Sequence, residues 1–260
     1  MVRALYTAWT GLRNEEKRMD VVTNNMANAD TTGFKKVKVN SQSFDRQLAV
    51  KINDATVGTD IVTGIGGVTL GVKIGETYYD MSQGGFRETG DRYNFALTDR
   101  GFFTISTTDK AGVEHIRYTR DGDFTVNQAG YLMTKDGDYV LGDNNARIQI
   151  PGAQTTEIFT NENGEIYAGN TYISTLRIVD FENYDFLSSY GENMYEAVDG
   201  ATIVESAAGV SQGYLEMSNV NIVTEMVDMI AVSRSYETNQ KMMQTVDSIL
   251  QKAANDIGRV

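Results

Sequence analysis

The chain has 260 residues, 41% hydrophobic and 22% charged, with a formal net charge of −12 at pH 7. This length can support one large core or two small ones, and the acidity argues against nucleic acid or an anionic membrane surface as a partner. The absence of cysteine excludes a disulfide framework, a thiolate nucleophile and a cysteine-type zinc site.

Leu5, Leu12, Met19 and Met26 recur every seven residues. That spacing predicts a helix from about 3 to 28 that stays in register with another helix. Ala8, Trp9 and Val22 fill in the stripe, and Glu15–Glu16 interrupt it. Asn24, Asn25 and Asn28 are weak helix formers, and Asp30-Thr31-Thr32-Gly33 is a stop signal. Charges at Arg13, Glu15, Glu16, Lys17 and Arg18 make this end too polar for a secretory signal peptide. No run of 18 apolar residues exists, so no membrane span is expected.

From 34 onward the periodicity is lost. Val37, Val39 and Phe44 can start a strand, and the stretch from Ile61 to Val72 is glycine-rich and β-branched, which reads as an extended linker with short strands. From about 78, short apolar runs alternate with turn clusters, the pattern of a β barrel or sandwich. The runs are Phe95–Leu97, Phe102–Ile105, Ile116–Tyr118, Phe124–Val126, Tyr131–Met133, Tyr139–Leu141, Ile148–Ile150, Ile166–Tyr167 and Ile173–Phe181. Asp121-Gly122, Asp136-Gly137 and Asn163-Gly164 between them predict type I′ hairpin turns. A second helix is expected from about 219 to 257. Ile222, Met229, Tyr236, Met243, Leu250 and Ile257 form its seven-residue stripe, Ser218 or Asn221 its cap, and Ser233, Asn239 and Gln240 its polar interruptions. The fold class is therefore α+β: terminal helices that pair, around a central all-β domain. The expected divisions are 1–33, 34–77, 78–217 and 218–260.

Candidate chemistry is thin. His115 is the sole histidine and alternates with Ile116 in a strand pattern, and no Gly-x-Ser-x-Gly elbow accompanies it. The acidic turns at Asp121 and Asp136 lack the spacing of a calcium loop. The Gly64–Gly71 stretch has Thr69 where a dinucleotide fingerprint needs its third glycine. Glu225 and Asp228 share a helix face that reads as solvated. No catalytic residue, metal or cofactor is expected.

Asn24-Asn25-Met26-Ala27-Asn28-Ala29-Asp30-Thr31-Thr32-Gly33-Phe34-Lys35 closely resembles the N-terminal signature of the bacterial flagellar rod and hook protein family. Leu215-Glu216-Met217-Ser218-Asn219-Val220, with Glu225-Met226-Val227 and Ser233 to Lys241, resembles its C-terminal signature. Gln83-Gly84-Gly85-Phe86 to Gly101-Phe102-Phe103, and Tyr118-Thr119-Arg120-Asp121-Gly122-Asp123-Phe124, are similar to blocks of its β domain. The resemblance spans the whole chain. It implies a structural, non-enzymatic rod subunit that polymerises helically and transmits torque to the hook. Such a subunit leaves the cell through the flagellar export apparatus and sits in the basal body, outside the cytoplasmic membrane. Its implied partners are further copies of itself, adjacent rod and hook proteins, and rings around the basal body; nucleic acid and membrane insertion are excluded. The length is similar to that of members in the distal rod or beside it in the proximal rod, although the distal member often has a proline in its linker and 34–75 has none. The residues expected at assembly contacts are Leu5, Leu12, Met19, Met26, Ile222, Met229, Tyr236, Met243 and Leu250, with Asn25, Asn28, Gly33 and Phe34 setting the exit from the first helix. The alternatives are a hook-type subunit, a surface β-domain binding module with a helical stalk, and a hydrolase with an acidic pocket.

Overall fold

A computed structural model describes residues 2–51, 63–110, 112–152, 157–191 and 193–257. The chain divides into two compact units, one of residues 1–26, 37–78 and 222–260 and the other of 27–36 and 79–221.

The first unit holds the two long helices, α1 (Val2–Ala27) and α2 (Ile222–Ile257), and four strands, β1 (Val37–Ser43), β2 (Gln47–Lys51), β3 (Thr63–Val68) and β4 (Val72–Tyr79). The helices are antiparallel. The Asn25 amide donates to Glu225 Oε2 at 3.2 Å. Gly11, 14 residues earlier in α1, lies against Asn239, 14 residues later in α2. Leu5, Leu12, Met19, Met229, Tyr236, Met243 and Leu250 are all half-buried. The more deeply buried stripe on α2 runs three residues later: Glu225 and Val232 are buried, Asn239 is half-buried and Val246 is buried. The two stripes together make the a and d positions of a coiled-coil seam. Trp9 is 52% exposed and lies off this seam, contrary to the expectation that it fills the stripe. Glu225 is buried and only Asp228 is exposed, so the two do not share a solvated face.

β1 pairs with β4, and β2 with β3 in an antiparallel hairpin bulged at Ala49/Val50. The expected linker strands therefore exist, although Ile61 and Val62 lie outside the described residues. Gly71 has φ +140°, and a Cβ there would stand 2.1 Å from Thr10 Oγ1. The missing side chain brings this backbone against the outer side of α1.

The second unit contains β5 (Phe86–Glu88), β6 (Phe95–Leu97), β7 (Phe102–Thr108), β8 (Glu114–Thr119), β9 (Phe124–Val126), β10 (Leu132–Thr134), β11 (Tyr139–Val140), β12 (Ile158–Thr160), β13 (Glu165–Ala168), β14 (Thr171–Thr175), β15 (Ile178–Phe181), β16 (Leu187–Tyr190), β17 (Met194–Ala197), β18 (Ile203–Glu205), β19 (Val210–Gln212) and β20 (Tyr214–Glu216). Nine form one sheet in the order β16-β17-β8-β7-β11-β10-β9, with β15 and β18 joined through β7; smaller sheets are β12-β13-β14, β19-β6 and β20-β5. One core gathers Phe95, Phe103, Phe124, Leu132, Ile148 and Ile166 among others. A second gathers Phe102, Tyr118, Val179, Phe181, Leu187 and Tyr195, with edge-on aromatic contacts such as Tyr118–Phe181 at 4.9 Å. These are geometries that aromatic quadrupoles favour.

Four sequence expectations for this unit need correction. The hairpin turns at Asp136-Gly137 and Asn163-Gly164 form, but only the glycines have positive φ. The bonds Gly137 N–H to Thr134 O and Thr134 N–H to Asp138 O, repeated at 161–165, define a type I turn closed by a left-handed residue. The same bonding recurs at 142–146, where Asn145 takes the left-handed position at φ 56°. Asp121-Gly122 is not a hairpin turn. Gly122 O accepts from Phe95 N–H, and a Cβ on Gly122 would stand 1.7 Å from Phe95 O, so this glycine allows two backbones to touch. Ile148–Ile150 is not a strand; Ile148 and Ile150 are buried in the core from an irregular segment held by a bridge from Gln149 to Tyr131. The Ile173–Phe181 run breaks in two at Leu176–Arg177.

Candidate assembly interface

The exit from α1 is built by one amide. Asn25 is 1% exposed. Its Nδ2 donates to Val37 O and its Oδ1 accepts from Val37 N–H, both at 2.9 Å. The side chain thus pairs with Val37 as a neighbouring strand would, while the same Nδ2 reaches Glu225. Asn25 ties together the end of α1, the start of β1 and the start of α2. Alanine or leucine could not supply the donor and acceptor pair.

In the second unit, residues 28–36 are held by a buried ionic node. Lys35 Nζ lies 2.5 Å from Glu216 Oε1 and donates to Ser82 O at 2.8 Å. Arg120 Nη1 reaches Glu216 Oε2 at 3.3 Å and Asp99 O at 2.8 Å, and its guanidinium lies 5.4 Å from the centre of the Phe102 ring. Gly84 N–H donates to Glu216 Oε1 at 3.0 Å. All three charged side chains are essentially without solvent contact. Burial pushes the Lys35 ammonium below its ordinary range, opposed by the attraction of Glu216. Gly33, at φ +69°, donates its N–H to Glu216 O, and a Cβ there would stand 2.4 Å from Asp121 N. Asn219 extends the node: its Oδ1 accepts from Lys36 N–H, and its Nδ2 donates to Asp80 O and Ser82 O.

The N-terminal and C-terminal signature blocks are therefore the parts that this geometry uses. Family models match in the same places: "Flagella basal body rod protein" over residues 5–35, "Flagellar hook protein FlgE/F/G D1 domain" over 96–168, and "Flagellar basal body rod FlgEFG protein C-terminal" over 211–256. The flagellar basal-body rod protein FlgG of Bacillus subtilis is 33% identical across 98% of this chain and 99% of its own length. This chain belongs to that family of structural rod subunits. Other members of the flagellar rod family align as fully. FlgG of Buchnera aphidicola subsp. Acyrthosiphon pisum is 32% identical over 97% of this chain and 98% of its own. The rod protein FlgF of Caulobacter vibrioides is 29% identical over the whole of both.

The structure distributes the expected assembly residues unevenly. Asn25 and Met26 lie at the helix exit, and the heptad residues Leu5, Leu12, Met19, Met229, Tyr236, Met243 and Leu250 lie half-buried in the first unit. Asn28, Gly33 and Phe34 are buried in the second unit. Ile222 is 39% exposed at the start of α2. Sequence reasoning gave no role to Lys35, Arg120 and Glu216, although each stands inside a signature block. It also passed over the stripe of Glu225, Val232, Asn239 and Val246. A search for residues three after each named heptad position would have found that stripe; nothing local marks the ionic node.

Proposed function

We propose that this rod-family chain polymerises helically into the basal-body shaft that carries torque to the hook, and that it has no catalytic role. A place in the rod fits family membership, and no described helix is long and apolar enough to cross a membrane. The observation that carries the reading lies in the first unit. The α1–α2 seam is closed within one chain, yet Val223, Met226, Val227 and Ile230 on α2 remain 49–71% exposed. A contiguous exposed apolar face of this kind marks a protein contact, and contacts between unlike surfaces give an open filament instead of a closed ring. The heptad positions would then act in two ways: the seam-facing ones set the subunit's own helix pair, and the outward ones meet neighbours. In this reading residues 34–77 serve as a connecting region and 78–217 as the outer β domain. Adjacent rod and hook proteins, the export apparatus and surrounding rings are the partners, and the site is outside the cytoplasmic membrane. Electron microscopy of basal bodies from a strain lacking the gene tests this. An axis that stops within the rod supports the reading and gives the subunit's position. A complete rod, or an axis that stops only in the hook, refutes it.

A further inference from the structure

Within the first unit, Arg3, Tyr6, Trp9, Phe44 and Leu70 line an apolar groove of about 680 Å³. Tyr6 is 60% and Trp9 52% exposed. At 100° per residue, Tyr6 lies about 120–180° from the seam positions Ala8, Leu12 and Glu15 and Trp9 flanks the seam about 60° from Leu12, while on α2 Val223, Val227 and Ile230 lie opposite the seam positions Glu225, Val232 and Met243. The two apolar surfaces thus lie on different sides of one helix pair. They are also offset along it. In the register set by the Asn25–Glu225 and Gly11–Asn239 pairs, the groove is level with α2 some 16 residues beyond the stripe, roughly 24 Å at 1.5 Å per residue. One chain cannot bring them together.

We propose that the Tyr6/Trp9 groove of one copy takes the Val223/Val227/Ile230 stripe of a second copy displaced by roughly 24 Å along the helix axis. This names the self-contact within the rod-subunit reading above and rests on it. The occupant is a second copy because the same chain carries an apolar surface of matching chemistry that its own fold leaves bare. Repeating one displacement adds copies without end, since groove and stripe are different surfaces and each copy keeps one of them free. Size fits the same picture. The bare parts of Tyr6, Trp9 and Phe44 amount to roughly 300 Å², taking about 200 Å² per ring. A stable free-standing pair needs about 800 Å² from each partner. The contact therefore holds within an array and leaves dilute copies separate.

The cysteine-free sequence permits a direct test. A full chain carrying both Tyr6→Cys and Val227→Cys replaces the wild type in cells, and isolated rods are oxidised and run without reductant. The two positions are too far apart in one chain for a disulfide, which needs Cα atoms within about 7 Å. The expected result is a ladder of dimers, trimers and higher species in steps of 28.7 kDa, while rods with either single substitution stay at least tenfold poorer in cross-links. Trp9→Cys with Ile230→Cys serves as the second pair if the first does not enter rods. Rods that contain a doubly substituted chain but yield only monomers overturn the proposal, as do dimers from the single substitutions. Absence of the wild-type chain from isolated rods overturns the rod reading itself.

Discussion

Replacing Glu216 with glutamine should be the most destabilising conservative change in the second unit. The carboxylate is 1% exposed and neutralises two cations at once, Lys35 at 2.5 Å and Arg120 at 3.3 Å. Glutamine keeps the shape and one acceptor, but it places an amide NH₂ against a donor and removes the one carboxylate that both buried cations contact, leaving Lys35 with only the weaker attraction of Asp80. At an effective dielectric of about 20, each pair at about 4 Å is worth about 4 kcal/mol, and removing one member of a buried ion pair costs about 3–5 kcal/mol. Lys35→Met provides the contrast. Glu216 and Arg120 remain balanced, Gly84 N–H still donates to the carboxylate, and Ser82 O keeps the Asn219 amide as a donor at 3.1 Å. Only the loss of one charged hydrogen-bonding group remains, about 1–3 kcal/mol. Urea unfolding followed by near-ultraviolet dichroism of the tyrosines measures both, since Tyr79, Tyr118 and Tyr195 pack in this unit's second core. For Glu216→Gln the melting midpoint should fall by roughly 6–20 °C. A Glu216→Gln chain within 1 kcal/mol of wild type, or no less stable than Lys35→Met, would refute the claim that the carboxylate is the hub of the node.

Gly33→Ala should cost more than Gly137→Ala. Both residues have positive φ, but a Cβ at Gly33 meets Asp121 N at 2.4 Å whereas one at Gly137 meets nothing within 4 Å. About 1 kcal/mol is expected at Gly137 and at least twice that at Gly33, read from urea midpoints. Asn25→Ala removes both bonds to Val37 and the one to Glu225; a loss of about 2–4 kcal/mol is expected, visible as helix melting at lower urea in far-ultraviolet dichroism. Above pH 10 the chain should lose stability. Burial raises Tyr195 and Tyr118, and burial with the Asp180 hydrogen bond raises Tyr184 to about 12. The unfolded chain therefore sheds these protons first, and the favourable term present below pH 10 is lost as pH climbs through the folded values. Lys35, lowered by burial, contributes with the opposite sign over the range up to 10.5. Thermal melts between pH 9 and 11.5 should show the tyrosine trend, and a flat or rising melting temperature would contradict it.

The terminal helices were legible because a seven-residue apolar repeat is a property of neighbouring residues on one face, and Leu5 to Met26 and Ile222 to Leu250 state it directly. The second stripe of α2 was hidden because half of its positions are polar. Glu225 and Asn239 sit where a periodicity search wants leucine, and Asn25 and the bare backbone of Gly11 stand opposite them. Turn positions could be read from Asp136-Gly137 and Asn163-Gly164, but the turn type could not, since one left-handed glycine closes a three-residue loop as well as two left-handed residues close a two-residue one. The ionic node was beyond reach for a different reason. Lys35, Arg120 and Glu216 are separated by 85 and 96 residues, and each looks like an ordinary surface charge until the chain is folded.

This difference between the two units bears on assembly. The second unit buries aromatic cores and a three-membered charge node whose parts come from distant segments, so its stability is cooperative and internal. The first unit rests on a seam that includes Asn25, Glu225 and Asn239, and polar seam positions fix register at the expense of stability. Isolated helices of this kind are marginal in water and draw their stability from packing. The apolar surface missing from the seam is present instead on the outward faces, at Tyr6 and Trp9 on α1 and at Val223, Val227 and Ile230 on α2. A helix pair that defines its register internally but keeps its largest apolar side chains outside gains most of its stability only when neighbours cover them. In that arrangement the same residues that make a single copy marginal make each added copy favourable.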